Sequence, residues 1–450
     1  MGLVPHFRGA AMKCAVITPV GPGHKDMYEV CLASIEEAWA YDQGPFEALE
    51  IMPMWDLEGA HGRSARRNNG IDEAAARGCD WLFFLDADDL MNMGAFGAFG
   101  KFSDGLDAVW GNICETTLGD GELRLREGQI VTATTLEEIL VTPPFLSLQM
   151  GHFVRTECAA AVKFDVEMDT GEDFKYYLEM WSRFRCAKVP TVFFINRRGG
   201  HSVGPRSANG ADWNKAVESV VLGYCREREM FSDFTFEGKP ARFAINNPFD
   251  IIQRHHVNGS FFEAEELKTL CDIVGRGKSI VEVGANVGNH LVFYAQHMDA
   301  KKIYPFEPNP DAVALLSKNI RMNDLEPVID QRGIGIGAGA AYGKFAIELP
   351  GENNLGAARL RAGSGELEVF TLDEKLGDEP VDFMKIDVEG MEFEVLKGAQ
   401  NIIRRHKPIL MVEVFRPQIA EFESWCIENH YNIIKTFHCV YAANFVAEAA

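Results

Sequence analysis

Polar and apolar positions in this chain follow two rhythms. Short apolar blocks end at a glycine, a proline or a carboxylate, and longer stretches between them carry apolar residues three and four apart. The first block, residues 13–20 (Lys-Cys-Ala-Val-Ile-Thr-Pro-Val), predicts a buried strand stopped by Gly21-Pro22-Gly23. Residues 26–41 follow as a helix with Met27, Val30, Cys31, Ser34 and Ile35 on one face. A second strand is expected at 48–54, a helix at 71–77 closing at Gly78, and a third strand from Trp81. That third block, Trp81-Leu82-Phe83-Phe84-Leu85, ends abruptly in Asp86-Ala87-Asp88-Asp89. Alternating strands and helices imply an α/β domain with a mostly parallel sheet, and such sheets place ligands at the carboxyl ends of their strands.

Further strands are expected at 107–112, 122–131, 146–154 and 191–196, with a short helix at 135–141. A helix at 172–184 turns Phe174, Tyr177, Leu178 and Trp181 inward. The polar, glycine- and proline-containing stretch 202–211 marks a domain boundary, and a helix over about 212–230 leads to a second α/β pattern. There a strand at 278–283 ends in Gly284-Ala285-Asn286-Val287-Gly288, and one at 301–306 ends in Glu307-Pro308-Asn309-Pro310 before a helix at 311–322. A third, at 381–386, ends in Asp387-Val388-Glu389-Gly390, and a fourth, at 408–414, carries Glu413. The expected organisation is a leader 1–12, an α/β domain 13–205, a helical linker 206–245 and a second α/β domain 246–450.

Composition narrows the function classes. At 450 residues, 47% hydrophobic and 24% charged, the chain suffices for two or three cores and is ordinary for a globular protein. No apolar stretch is long enough to span a bilayer, and residues 1–12 lack a signal-peptide core. The net charge of -22 weighs against a nucleic-acid backbone as partner. Small phosphorylated substrates remain open, because a bound cation screens them locally. Ten cysteines without a Cys-x-x-Cys pair signal neither a zinc site nor a thioredoxin-type motif, and point to a reducing cytoplasm.

Asp86, Asp88 and Asp89 repel one another unless a cation or a partner offsets them. A divalent metal holding a diphosphate and a solvated acidic turn both account for this stretch taken alone. The surroundings add Arg67-Asn68-Asn69-Gly70 upstream, Gly171-Glu172-Asp173 at a helix start, and His201 after the last strand. In this order, and with Val16-Ile17-Thr18-Pro19 in the first strand, the first two hundred residues resemble the inverting family 2 type glycosyltransferases of GT-A fold. The resemblance implies that Asp86 and Asp88 engage the ribose of a nucleotide sugar and, through Mn2+ or Mg2+, its diphosphate. It further implies that Pro19, Asp56 and Arg67 contribute to the nucleotide site and that Asp173 is the base for the acceptor hydroxyl. His201 reads either as a further metal ligand or as a surface histidine. Asp56 stands alone where the family has an acidic pair, and Arg66-Arg67 doubles its single arginine, so the donor stays open between a UDP- and a GDP-sugar.

The glycine turn after residue 283 lacks the middle glycine that lets a backbone approach a pyrophosphate. Asn286 occupies that place, which favours a cofactor without phosphates, and Glu307 is placed to accept from two ribose hydroxyls. Gly343-Lys344 is followed by Phe345, so the glycine-rich stretch 333–343 is no phosphate loop. From about residue 249 the chain resembles the FkbM-type S-adenosylmethionine-dependent methyltransferases. The resemblance rests on Glu282 to Gly288, Phe306-Glu307-Pro308-Asn309, Thr371-Leu372-Asp373, and Lys385 to Gly390 with Glu392, Leu396, Lys397 and Gly398. It implies a Rossmann-like class I fold, S-adenosylmethionine held by Glu282, Gly284, Asn286, Gly288 and Glu307, and O-methylation of a sugar hydroxyl. Asp387, Glu389 and Lys385 are the catalytic candidates, with Glu413 near them. A structural Lys385–Asp387 ion pair is an equal reading, and Glu392 reads as a solvated helix position.

The expectation is a bifunctional enzyme that transfers a sugar to a glycan or glycosylated acceptor and methylates a sugar hydroxyl. Its alternative has one catalytic half, the other serving as a glycan- or cofactor-binding module.

Overall fold

A computed structural model describes residues 12–117, 121–199, 210–348, 355–363 and 365–450. The chain divides into two compact units, 1–227 and 228–450, and both are α/β. The expected leader lies outside the described residues, apart from Met12.

In the first unit a six-stranded sheet runs in the order Phe46–Trp55, Met12–Val20, Trp81–Phe84, His152–Arg155, Ala108–Trp110, Cys186–Lys188. The first three strands are parallel, and His152–Arg155 is antiparallel to both its neighbours. Aromatic residues fill its core: Phe99 lies 4.4 Å from Phe153 and 4.7 Å from Trp81, centroid to centroid. Phe96 and Phe99 come from a helix, Ala95–Phe102, that the pattern did not anticipate.

The helix expected at 71–77 is Gly62–Ala76, nine residues longer at its start. The cause lies upstream. The Asp56 carboxylate accepts from the backbone N–H groups of Ala60, His61 and Gly62 at 3.0, 3.0 and 2.8 Å, supplying partners for donors that a helix start leaves unpaired. Arg63 and Arg67, four apart, therefore share a helix face. Gly70 lets this helix lie directly on the first strand, because a Cβ there would stand 2.6 Å from Ile17.

Two strand expectations shrink. In 122–131 only Arg124–Leu125 pairs, because Arg126 turns into the protein to bond Glu115, Gln149 and the Phe145 carbonyl. At 146–154 the chain first closes the helical turn Pro144–Ser147, and only His152–Arg155 pairs as a strand.

The expected helical linker 206–245 is not one element. Residues 206–209 lie outside those described, and Gly210–Glu227 is a helix of the first unit. Phe231–Phe236 and Lys239–Ala244 form an antiparallel hairpin of the second. The hairpin's alternation decides this: Ala241 and Phe243 enter the core while Arg242 faces out.

The second unit's main sheet runs Lys302–Phe306, Ser279–Val283, Phe383–Ile386, Ile409–Phe415, Ala442–Ala449, Tyr431–His438. The first four strands are parallel and Ala442–Ala449 lies antiparallel between its neighbours, the Rossmann-like arrangement expected. No helix among the described residues is long and apolar enough to cross a membrane. All ten cysteines are free, and the seven in the first unit are all buried.

Candidate active sites

The strand ends of the first unit open onto a cleft of about 1160 Å3, lined by Pro19, Asp56, Asp86, Asp88, Asp173 and Arg197 among others. The turn after Phe84 sorts its three carboxylates. Asp89 points inward, accepting from Asn196 Nδ2 at 3.0 Å and the Arg197 N–H at 3.1 Å. Burial, then the charges of Asp88 and Asp86, hold its carboxyl well above the usual range. Asp89 thus anchors the turn to the strand Phe194–Arg198, and Arg197 Nε reinforces it by donating to the Asp88 carbonyl at 2.5 Å.

Arg67 does not line the cleft. It is fully buried and donates from Nη2 to Asp86 Oδ1 at 2.5 Å, so it holds the carboxylate from behind. Asp56 does reach the cleft, but the helix start uses its carboxylate, and those N–H groups outweigh burial and keep its pKa below normal. Asp173 opens the helix Glu172–Arg183, buried at the cleft edge, with Oδ1 accepting from the Phe174 N–H at 3.0 Å. Carboxylate oxygens of Asp86, Asp88 and Asp89 lie within 4.8 Å of one another. Hard oxygens in such a group suit Mn2+ or Mg2+, and Asp86 and Asp88, less buried than Asp89, are the residues that would hold the ion. His201 lies outside the described residues.

Two residues here escaped the sequence reading. Glu172, fully buried, accepts from Arg63 Nε at 2.6 Å, Arg63 Nη2 at 3.0 Å and Arg67 Nη1 at 3.4 Å. It joins the helix that carries Asp173 to the arginine that holds Asp86. The four-residue spacing of Arg63 and Arg67 was the available signal.

In the second unit a cavity of about 190 Å3 is lined by Gly284, Asn286, Glu307, Lys385, Asp387 and Glu389 among others. Gly284 has φ +88°, and a Cβ there would fall 1.8 Å from the Asp387 carbonyl oxygen, so two strand ends meet only because it is glycine. The N–H of Asn286 donates to Glu307 Oε2 at 2.7 Å and that of Asn309 to Oε1 at 2.8 Å. Burial lifts Glu307 to about 7 even against these two donors. Beside it, Asn286 Oδ1 and Asn309 Nδ2 are buried without a hydrogen-bond partner. A carboxylate with spare lone pairs flanked by such atoms fits the ribose end of S-adenosylmethionine.

Glu282 and Gly288 sit behind this cavity. Glu282 Oε1 faces His290 Nδ1 at 2.8 Å, and Gly288, whose Cβ would meet Leu316 at 2.8 Å, begins the helix Asn289–His297. On its other side His290 Nε2 faces Glu263 Oε2 at 3.2 Å. Burial and the nearby Lys385 depress the imidazole, but these two carboxylates prevail and raise it to about 9. Lys385 Nζ lies 2.7 Å from Asp387 Oδ2, and both line the cavity. Burial opposes the Lys385 charge; Asp387, Glu263 and Glu282 outweigh it. Oxygens of Asp387, Glu389 and Glu413 lie within 4.8 Å of one another. Burial, then Asp387, lifts Glu389 to about 7 and Glu413 to about 9, whereas Lys385 overcomes burial at Asp387 and keeps it below normal. Glu392 is not solvated: its side chain folds back and Oε1 accepts from the Gly390 N–H at 2.8 Å, which buries it.

The second site thus sets a glycine turn, a buried carboxylate and a charged third strand end together at the carboxyl ends of a Rossmann-like sheet. Residues 282–441, all within the second unit, match the methyltransferase FkbM domain. The chain is 30% identical over 153 residues to methyltransferase sdnD of Sordaria araneosa, covering 26% of this chain and 59% of that protein. It is 27% identical over 177 residues to hexuronic acid methyltransferase AglP of Haloferax volcanii, covering 37% and 67%. Among solved structures, Staphylococcus aureus TarS with UDP-GlcNAc is 15% identical, with 48% of this chain and 66% of that one covered and a TM-score of 0.37. The FkbM methyltransferase from Methylobacillus flagellatus is 17% identical, covering 53% and 60%, with a TM-score of 0.30.

Proposed function

We propose that the chain is a bifunctional transferase. The first unit moves a sugar from a nucleotide-sugar donor to an acceptor hydroxyl with inversion, and the second methylates a sugar hydroxyl with S-adenosylmethionine. The observation that carries the methyl-transfer half is the FkbM match lying over a cavity where Gly284, Asn286 and Glu307 meet the strand end of Lys385 and Asp387. Sugar transfer is supported by the convergence of Asp86, Asp88 and Asp173 on one cleft. Similarity to AglP, a hexuronic acid methyltransferase, supports a sugar as methyl acceptor.

In the first unit Asp86 and Asp88 hold the cation, Arg67 fixes Asp86, and Asp173 takes the acceptor proton. A divalent ion there neutralises charge on the departing nucleoside diphosphate. In the second unit Glu307 receives the ribose, Lys385 keeps Asp387 ionised, and Glu389 takes the hydroxyl proton. S-adenosylmethionine supplies an electrophilic methyl group, and positioning does most of the work. Carrying both sites on one chain favours sequential action, glycosylation then methylation, by raising the local concentration of the intermediate.

The curated relatives named above are methyltransferases, and the family match lies wholly within the second unit. This favours one second reading, in which the first unit only binds glycan. Both are tested on the full chain by nucleotide-sugar turnover with Mn2+ and by methyl transfer from labelled S-adenosylmethionine to a glycosylated acceptor. Asp88→Ala should abolish the first activity and leave the second, and Glu307→Ala the reverse. Absence of nucleotide-sugar turnover in the unaltered chain would leave only the second reading.

A further inference from the structure

One wall of the first unit's cleft carries aromatic and cationic side chains that have no role in the reading above. Phe145, from the single helical turn Pro144–Ser147, lines the cleft with 41% of its surface exposed. The Arg126 guanidinium lies 3.9 Å from its ring centroid and that of Arg198 5.2 Å away. Arg126 is itself locked, bonding Glu115, Gln149 and the Phe145 carbonyl, so the ring's position is fixed. Trp213, on the helix Gly210–Glu227, lines the same cleft and meets Phe145 edge to face, 6.5 Å between centroids at 78°. It meets Phe174 in the same way, at 6.0 Å and 78°. Phe174 follows Asp173 directly, so the aromatic corner adjoins the proposed base.

An aromatic pair at near right angles, Phe145 exposed and Trp213 partly buried, with guanidinium groups over the Phe145 ring and amides nearby, has a defined complement. Arg126 covers one face of Phe145, and the aromatic surface left open to the cleft presents π density to weakly polarised C–H bonds, while Gln149, Asn214 and Arg198, which also line the cleft, offer hydrogen bonds at the periphery. A pyranose matches this: one face of C–H bonds, a rim of hydroxyls. An acyl chain would gain nothing from the guanidinium groups. Resting on the reading of this unit as a glycosyltransferase, we infer that Phe145 and Trp213 form a carbohydrate subsite that seats a sugar ring of the acceptor beside Asp173, and hence that the acceptor is a glycan.

The test is binding, measured on the full chain by saturation-transfer NMR with maltotetraose, cellotetraose and chitotetraose in the presence of UDP and Mn2+. At least one tetrasaccharide should bind. Phe145→Ala and Trp213→Ala should each weaken it about tenfold, and Trp213→Phe should recover most of the loss. Circular dichroism and thermal unfolding check that the variants fold, and Phe145→Ala, at the more exposed position, guards against a misfolded Trp213→Ala. No binding of any tetrasaccharide at millimolar concentration, or binding that survives both alanine variants, overturns the inference. A parallel thermal-shift series of the unaltered chain with UDP-glucose, GDP-mannose and Mn2+ separates the two claims. Donor stabilisation without glycan binding refutes the subsite and keeps the transferase reading. Glycan binding without donor stabilisation keeps the subsite and refutes the transferase reading.

Discussion

Replacing Glu172 by Ala tests whether the first site is held together from behind. The side chain is fully buried, as is Arg67, and the carboxylate accepts from both Arg63 and Arg67. Removing one partner of a buried ion pair costs about 3–5 kcal/mol, most of it the penalty for the charge left behind. Arg67 retains Asp86 at 2.5 Å and Arg63 is partly exposed, so the lower end applies, about 3 kcal/mol. For a unit of this size each kcal/mol moves the melting temperature by roughly 2–4 °C, so the first unit should melt about 6–12 °C earlier. Scanning calorimetry of the full chain measures this, with the second unit, which contains none of these residues, as reference. The same substitution removes one of the carboxylates that share Arg67, so Asp86 is more strongly neutralised and becomes a poorer cation ligand. Mn2+ affinity, read by titration calorimetry, should fall about tenfold, or about 1.4 kcal/mol. A shift below 2 °C with unchanged Mn2+ affinity would refute the bracing role.

Two predictions concern pH. His290 is raised to about 9 from an unfolded value near 6.5, so the stability it contributes is fully present below about 6.5 and is lost as pH rises through about 9. That contribution is on the order of 3 kcal/mol. Urea midpoints of the second unit between pH 6 and 10 should show the loss, and His290→Asn should flatten the profile; an identical alkaline slope in both proteins would count against the Glu263–His290–Glu282 cluster. Glu389, the proposed base, is lifted to about 7 and can take a proton only when ionised. Methyl transfer should therefore climb with pH and level off above about 7, and Glu389→Gln should remove that limb and slow the reaction by about a hundredfold. Retention of the limb in Glu389→Gln would move the role to the Asp387–Glu413 pair.

What the sequence made legible was local. The acidic end at Asp86, the glycine turn at 284–288 and the carboxylate at Glu307 each follow a short apolar block, and a strand end is a place the hydrophobic pattern can find. What it concealed was pairing across distance. Glu172 and Arg63 are separated by 109 residues, and His290 and Glu263 by 27, so each pair depends on which helix face turns inward. Asp56 illustrates the difficulty at short range. A lone carboxylate after a strand suggests a ligand contact, yet three amides within six residues claim it first. Glu392 carried the opposite error, because helix position alone cannot show a side chain folding back on its own turn.

The cysteines of the first unit offer an experimental handle. All seven are buried, and burial raises the thiols of Cys14, Cys31, Cys158, Cys186 and Cys225 far from their reactive form. In the second unit Cys271 and Cys439 are partly exposed. A maleimide dye applied to the native chain should mark those two and pass over the rest. Label arriving later at the seven first-unit positions would then act as a clock for transient opening of that unit, readable by mass spectrometry without any engineered probe.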